Sequence, residues 1–78
     1  MKKGNYVFSW DLSEKLHSVD HGLVDYTREG YLLRDNEKIP CLIGYTDYSG
    51  IIEPTHLFIG NGITDSGNHY YSETITLD

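Results

Sequence analysis

Basic residues are missing from the whole second half of the chain. The last of its six lysines and arginines is Lys38, and residues 39–78 carry acidic side chains without a lysine or arginine among them. Twelve acidic residues against six basic ones give a net charge of -6. Nucleic acids and anionic membranes attract proteins of the opposite sign, so neither is expected as a direct partner.

Cysteine and long apolar runs are also scarce. Cys41 is the single cysteine, which excludes an internal disulfide and is typical of a reducing compartment. It lies within the apolar stretch IPCLI, where a thiol is expected to be an inert core group rather than a nucleophile. No apolar run approaches the roughly 20 residues that cross a bilayer, and the stretch after Lys2 and Lys3 is too short for a signal core. We therefore expect a soluble, cytoplasmic protein.

The length and the aromatic content together predict one small folded domain over residues 1–78. A chain of 78 residues has room for a thin core only. High acidity can accompany disorder, but 13% of the residues are aromatic, which favours a folded chain.

A short helix is predicted near the N-terminus, after an aromatic strand over residues 5–10. Asp11 and Glu14 stand three residues apart, as in a capping box. Apolar residues then recur at spacings of four, three and four, which is one face of a helix: Leu12, Leu16, Val19 and Leu23. Gly22 stands where a left-handed helix terminator would, so the helix is placed over about residues 12–21.

The remaining residues predict antiparallel strands. Residues 23–27 read as a strand and Glu29-Gly30 as a turn, followed by a hairpin of residues 31–34 and 38–46 around Asp35-Asn36, which tolerate positive φ. A turn over residues 47–50 then leads to strands at 51–52, at 56–60 after an interruption at Pro54, and at 69–77. The predicted fold class is α+β, mainly β: one short helix packed on a curled antiparallel meander sheet of five to six strands.

No catalytic or cofactor motif emerges, and we expect a protein that is not an enzyme. His17 and His21 stand four residues apart on the predicted helix and could form half a zinc site, but no cysteine pair completes it. The glycine-rich loop over residues 60–68 lacks the acid spacing of a calcium loop, and no lysine follows it as in a phosphate-binding loop. We therefore predict no metal and no cofactor.

Tyrosine is abundant, with seven residues, and it suits a protein interface because it buries a large area with few rotatable bonds. Tyr6, Tyr31 and Tyr71 are expected in the core, with their hydroxyls at the surface. The other candidate tyrosines and the acids beyond Lys38 make the predicted partner-binding set: Tyr45, Asp47, Tyr48, Glu53, Asp65, Tyr70, Glu73 and Asp78.

Two functional hypotheses follow. An acidic surface with tyrosine anchors suits a basic protein, such as a nuclease or another protein that handles nucleic acid. The first hypothesis is therefore a small inhibitor of immunity or anti-defence type, which covers such a surface by charge mimicry. The second is a structural or assembly module that forms a homo-oligomer, or joins a larger complex, through its sheet edges. Acidity that serves only solubility is the plain alternative.

Overall fold

Antiparallel strands make up nearly all of the regular structure. A computed structural model describes residues 1–20, 22–60, 62–63, 69–70 and 73–77, with the backbone alone at 62–63 and 69–70. The strands are β1 (Lys2–Lys3), β2 (Tyr6–Ser9), β3 (His17–Ser18), β4 (Tyr26–Arg34), β5 (Glu37–Tyr48), β6 (Ile51–Ile59), β7 (Gly62–Ile63), β8 (His69–Tyr70) and β9 (Glu73–Thr76). The prediction of a mainly β protein is confirmed.

The main sheet follows the order β1-β2-β4-β5-β6-β9, and all of its pairings are antiparallel. The short strand β3 pairs with β4, beside the segment of β4 that pairs with β2. Strands β7 and β8 form a separate two-stranded ladder. The six strands of the main path agree with the predicted curled sheet of five to six strands.

Contacts between strands that are not neighbours show that the sheet is curled. The Lys3 ammonium on β1 donates to the carbonyl oxygen of Pro54 on β6 at 2.6 Å. The guanidinium of Arg34, at the end of β4, forms an ion pair of 3.2 Å with Glu73 on β9. Both contacts span strands that a flat sheet would hold far apart, so the sheet is a half-barrel with a concave face.

The core lies on the concave face, where alternate residues of neighbouring strands meet. Phe8, Ile43 and Leu57 are 0% exposed and Leu32 is 1% exposed. The rest of this cluster is Cys41, Tyr45, Ile59, Ile75 and Leu77. The expected core position of Cys41 is confirmed, and burial raises the pKa of its thiol to about 11.

The β4–β5 hairpin forms as the turn residues predict. Asp35 and Asn36 have φ of 51° and 64°, the left-handed values that a two-residue hairpin turn requires. Arg34 lies opposite Glu37 and Leu32 lies opposite Ile39, which is the register that a two-residue turn at Asp35-Asn36 gives. Local turn chemistry alone therefore fixes the longest pairing in the sheet.

The predicted helix over residues 12–21 is not supported, because residues 11–20 contain a turn and the strand β3 instead. The Glu14 N–H donates a hydrogen bond to the Asp11 carbonyl at 2.9 Å. The Asp11 carboxylate accepts a hydrogen bond from the Tyr31 hydroxyl and does not cap a helix. Leu12, on the predicted apolar face, is 100% exposed. A helix this short is marginal alone, and pairing with the open edge of β4 competes with it. The described residues include no helix that could cross a membrane.

The predicted turn at Glu29-Gly30 is wrong, because β4 runs through it without a break. A Cβ atom at Gly30 would lie 2.3 Å from the Ser9 carbonyl oxygen and 2.8 Å from a methyl carbon of Ile43. Glycine is therefore required here for the close approach of β2 to β4, and not for a turn.

Pro54 does not interrupt β6, contrary to the prediction. Tyr45 pairs with Pro54 and Gly44 pairs with His56, so Thr55 is an extra residue in β6. This bulge places the Thr55 hydroxyl 2.8 Å from the Thr46 hydroxyl. Such a bulge bends the strand locally and accommodates a proline without ending the pairing.

Candidate functional site

The hairpin of β5 and β6 extends beyond the strands on either side of it. Pairing of β4 with β5 ends at the Tyr26–Tyr45 pair, and pairing of β9 with β6 ends at the Thr76–His56 pair. Residues 46–53 therefore pair only with each other, and they are called the hairpin tip below. The turn consists of Ser49 and Gly50, whose φ values of 55° and 95° are left-handed.

Three large apolar side chains are exposed on the hairpin tip. Tyr48 is 54% exposed, Ile51 is 62% exposed and Ile52 is 40% exposed. Tyr48 lies directly opposite Ile51, so these two side chains share a face, and Ile52 lies opposite Asp47 on the other. Exposed apolar side chains that lie next to each other, as Tyr48 and Ile51 do, make this turn a candidate binding surface.

Two aspartates are fixed beside this apolar group by backbone hydrogen bonds. The Asp47 N–H donates to Oδ2 of Asp25 at 2.8 Å, and the Asp25 N–H donates to the Tyr45 carbonyl at 2.8 Å. Within the turn, the Gly50 N–H donates to Oδ1 of Asp47 at 2.7 Å. Within the described residues, each carboxylate uses one oxygen to hold the backbone, and its other oxygen accepts no hydrogen bond there and could accept one from an external donor.

An open cleft lies between the hairpin tip and the chain that leads into β4. Its volume is about 450 Å³. The lining residues include two aspartates and three hydroxyl-bearing residues, and the full set is Ser18, Val19, Asp25, Tyr26, Asp47, Ser49 and Gly50. A cleft of this composition is suited to a cationic or hydrogen-bond-donating side chain.

The end of the molecule that carries the hairpin tip and the cleft has a net negative charge. Asp25, Asp47 and Glu53 are exposed carboxylates, and residues 39–60 include no lysine or arginine. One ammonium, that of Lys3, reaches the base of the hairpin tip, where it donates to the carbonyl of Pro54. Three carboxylates against one ammonium leave an excess of negative charge around the exposed apolar side chains.

The structure places three residues of the predicted binding set on the hairpin tip: Asp47, Tyr48 and Glu53. Tyr45 is not an exposed anchor as predicted, because it is 5% exposed and belongs to the core cluster. It shares the inward parity of Cys41 and Ile43 on β5, which directs its ring to the concave face. Burial accordingly raises the pKa of its phenol.

Glu73, another residue of that set, does not join the hairpin tip. Glu73 is on β9, opposite Ile59, and its carboxylate is paired with Arg34. The predictions for Asp65, Asp78 and the side chain of Tyr70 fall outside the described residues. Asp47, Tyr48 and Glu53 are thus the members of the set that the structure places on the hairpin tip, and it places beside them residues that were not predicted.

Those added residues are Asp25, Ile51 and Ile52. The two isoleucines could have been found from the sequence, because a two-residue turn at Ser49-Gly50 places Ile51 opposite Tyr48 at an exposed end. No sequence pattern predicted that Asp25 would lie beside the hairpin tip. Its place depends on the chain before β4 continuing alongside β5, which only the folded structure fixes.

The geometry on which the zinc hypothesis rested is absent. His17 lies in β3, so its spacing of four from His21 is not a helical one, and His21 falls outside the described residues. Across the part of the chain that the structure describes, no three histidine, cysteine or carboxylate side chains are grouped so as to hold a metal ion.

Comparison with protein-family models, with curated proteins and with solved structures gives no significant match for this chain.

Proposed function

We propose that this protein is a small binding protein whose hairpin tip docks on a basic surface of another protein and covers it. In this proposal Tyr48, Ile51 and Ile52 are the apolar anchors. The carboxylates of Asp25, Asp47 and Glu53 select a cationic partner. The partner class is a protein that handles nucleic acid, such as a nuclease, because such proteins carry basic surfaces, and the inhibitor would be of the immunity or anti-defence type.

The observation that carries the proposal is the coincidence of exposed apolar area and negative charge on one protruding hairpin. Anchoring side chains in an interface centre supply most of the affinity, while charges around them set partner choice and association rate. The hairpin tip has both parts, and its turn is held by the Asp47–Gly50 hydrogen bond. A turn already fixed in the free protein loses less entropy on binding.

The edge strands favour this proposal over the alternative of assembly through sheet edges. The edge strand β1 consists of two residues, and both are lysines. Short edge strands and edge lysines are devices that prevent strands from pairing between molecules. At the other end of the main sheet, β9 has four residues and begins at Glu73. Edge-to-edge assembly through β1 would therefore have to overcome both short length and charge.

The test uses a charge reversal that leaves the turn intact. Glu53→Lys is suited to this, because Glu53 makes none of the hydrogen bonds that hold the turn, whereas Asp47 accepts one from Gly50. The matched control is Glu37→Lys, which makes the same change of charge at the opposite end of β5. The two positions lie about 30 Å apart along the strands, since each residue advances about 3.3 Å.

The measurement is the association rate with a basic partner isolated by affinity from the native host, at two salt concentrations. Glu53→Lys is expected to slow association about threefold to tenfold at low salt and less at high salt, while Glu37→Lys has a much smaller effect. Equal effects of the two variants would show that only net charge matters, and they would reject docking through the hairpin tip. A folded chain that binds no basic protein would reject the proposed function altogether.

A further inference from the structure

Arg28 is the charged side chain on the concave face that the proposed function does not use. It lies on β4 opposite Ile43 and is half-buried. Its guanidinium carbon is 4.6 Å from the centre of the Trp10 ring and 5.5 Å from the centre of the Tyr45 ring. Two aromatic contacts of this kind hold the orientation of a guanidinium group.

The guanidinium has no carboxylate partner among the residues that the structure describes. Its one hydrogen bond there is long, from Nη1 to the Tyr45 hydroxyl at 3.4 Å. Arg34, the only other arginine of the chain, differs in forming an ion pair with Glu73. Within the described residues the charge of Arg28 is therefore not balanced by a carboxylate in contact with it.

Two donors of Arg28 that make no hydrogen bond within the described residues, one on Nε and one on Nη2, lie on the same edge of the guanidinium. Nε is sealed from solvent and has no hydrogen-bond partner within the described ranges. Nη2 makes no hydrogen bond there either, but it is not sealed from solvent. The Nε and Nη2 N–H groups point the same way, and this edge is the one that pairs with two oxygens of a carboxylate or phosphate group.

We propose that the Nε–Nη2 edge of Arg28 is the anchor of an oxyanion-binding site on the concave face, which takes a carboxylate or a phosphate group. Binding satisfies the buried Nε donor, which is otherwise costly to leave unpaired. In this proposal the side chain that moves to admit the oxyanion to Nε is Trp10, because its ring centre lies 4.6 Å from the guanidinium carbon and the residue is only half-buried. This site is separate from the hairpin tip and does not depend on the proposed function.

Two signals report on this site in the unmodified protein. The chain has two arginines, so a nitrogen–proton correlation spectrum contains two Nε–H signals, and the Arg34→Gln variant assigns them. Trp10 is the only tryptophan, so its fluorescence reports on its displacement. Inorganic phosphate and sodium acetate are the probes, and sodium chloride keeps the ionic strength constant.

The expected result is a saturable shift of the Arg28 Nε–H signal and a parallel change in Trp10 emission, with no saturable shift of the Arg34 signal. A response to acetate identifies a carboxylate as sufficient, while a response to phosphate alone identifies a phosphate group. The Arg28→Gln variant should bind about tenfold to a hundredfold more weakly, because it loses a charge-assisted pair of hydrogen bonds.

Shifts of the Arg28 signal that stay linear in anion concentration, or that match those of Arg34, would overturn the proposal and assign Arg28 a purely structural role. The spectrum of the unmodified chain decides this point even if Arg28→Gln does not fold. A Trp10 response that persists unchanged in a folded Arg28→Gln variant would overturn it as well.

Discussion

Replacing Gly30 by alanine tests how closely β2 approaches β4. The new Cβ atom would lie 2.3 Å from the Ser9 carbonyl oxygen, where an ordinary contact is 3.4–4 Å. The obstacle is backbone, so it cannot be relieved by rotating a side chain, and β2 has to move. The backbone of Gly30 is not in the left-handed region, so any loss of stability is steric in origin.

The expected size of the effect follows from two opposing contributions. Overpacking against a rigid neighbour costs about 3 kcal/mol at the upper end of its usual range. Alanine recovers about 0.5–1 kcal/mol by restricting the unfolded chain. The net destabilisation is about 2 kcal/mol, which in a domain of this size lowers the melting temperature by about 8–16 °C.

Urea unfolding, followed by both Trp10 fluorescence and far-ultraviolet circular dichroism, measures this change. The matched control is Glu29→Ala, at the neighbouring exposed position of β4, which should stay within about 0.5 kcal/mol of the unmodified protein. If Gly30→Ala is as stable as Glu29→Ala, the two strands do not approach as the structure describes, and the steric reasoning is refuted.

Three further predictions concern pH, an ion pair and the core. The Cys41 thiol has its pKa raised from 9.0 to about 11 by burial, so its contribution to stability is complete below pH 9 and is lost as the pH rises through 11. Urea midpoints measured between pH 9 and 11 should therefore fall less steeply in Cys41→Ala than in the unmodified chain, and an identical slope would contradict the assignment. Glu73→Gln should lower the urea midpoint only slightly, since the Arg34–Glu73 pair is exposed, and high salt should remove the difference. Leu57→Ala should destabilise by about 2–5 kcal/mol in the same assay, because Leu57 is 0% exposed, and a cost below 1 kcal/mol would contradict its central position.

The parts of the fold that the sequence predicts are those fixed by local chemistry. Asp35-Asn36 determines a two-residue turn, and that turn sets the register of β4 and β5 without any information from the rest of the chain. Ile75 and Leu77 are both buried, as alternation along the chain requires once one of them faces the core.

The helix prediction failed because the apolar residues between positions 12 and 23, although spaced as on a helix, do not all face the core. Leu16 packs against the core while Leu12 and Leu23 are exposed, so these residues do not form one face. The competing strand β3 depends on an open stretch of the β4 edge at Tyr26 and Thr27. That edge exists only after the sheet has formed, and so the local sequence around β3 does not predict this pairing.

The sequence predicts the negative charge of the candidate site but not which residues the fold brings together there. The absence of lysine and arginine beyond Lys38 correctly identifies an acidic region, and Tyr48 is exposed as predicted. Alternation could have assigned Tyr45 to the core, because it has the parity of Ile43. The hydrogen bond from the Asp47 N–H to the Asp25 carboxylate could not be predicted. It forms because β4 pairs with β5 and the chain before β4 continues alongside β5.

Crosslinking in the native host is the most direct test of docking through the hairpin tip. A photoreactive phenylalanine analogue at Tyr48 is compared with the same analogue at Leu33, an exposed apolar position on β4 that is 41% exposed. Docking through the hairpin tip predicts a crosslink from position 48 to a basic protein, weakened by Glu53→Lys, and little or none from position 33. Equal crosslinking at both positions, or a crosslink from position 48 only to acidic proteins or to other copies of this chain, would contradict it.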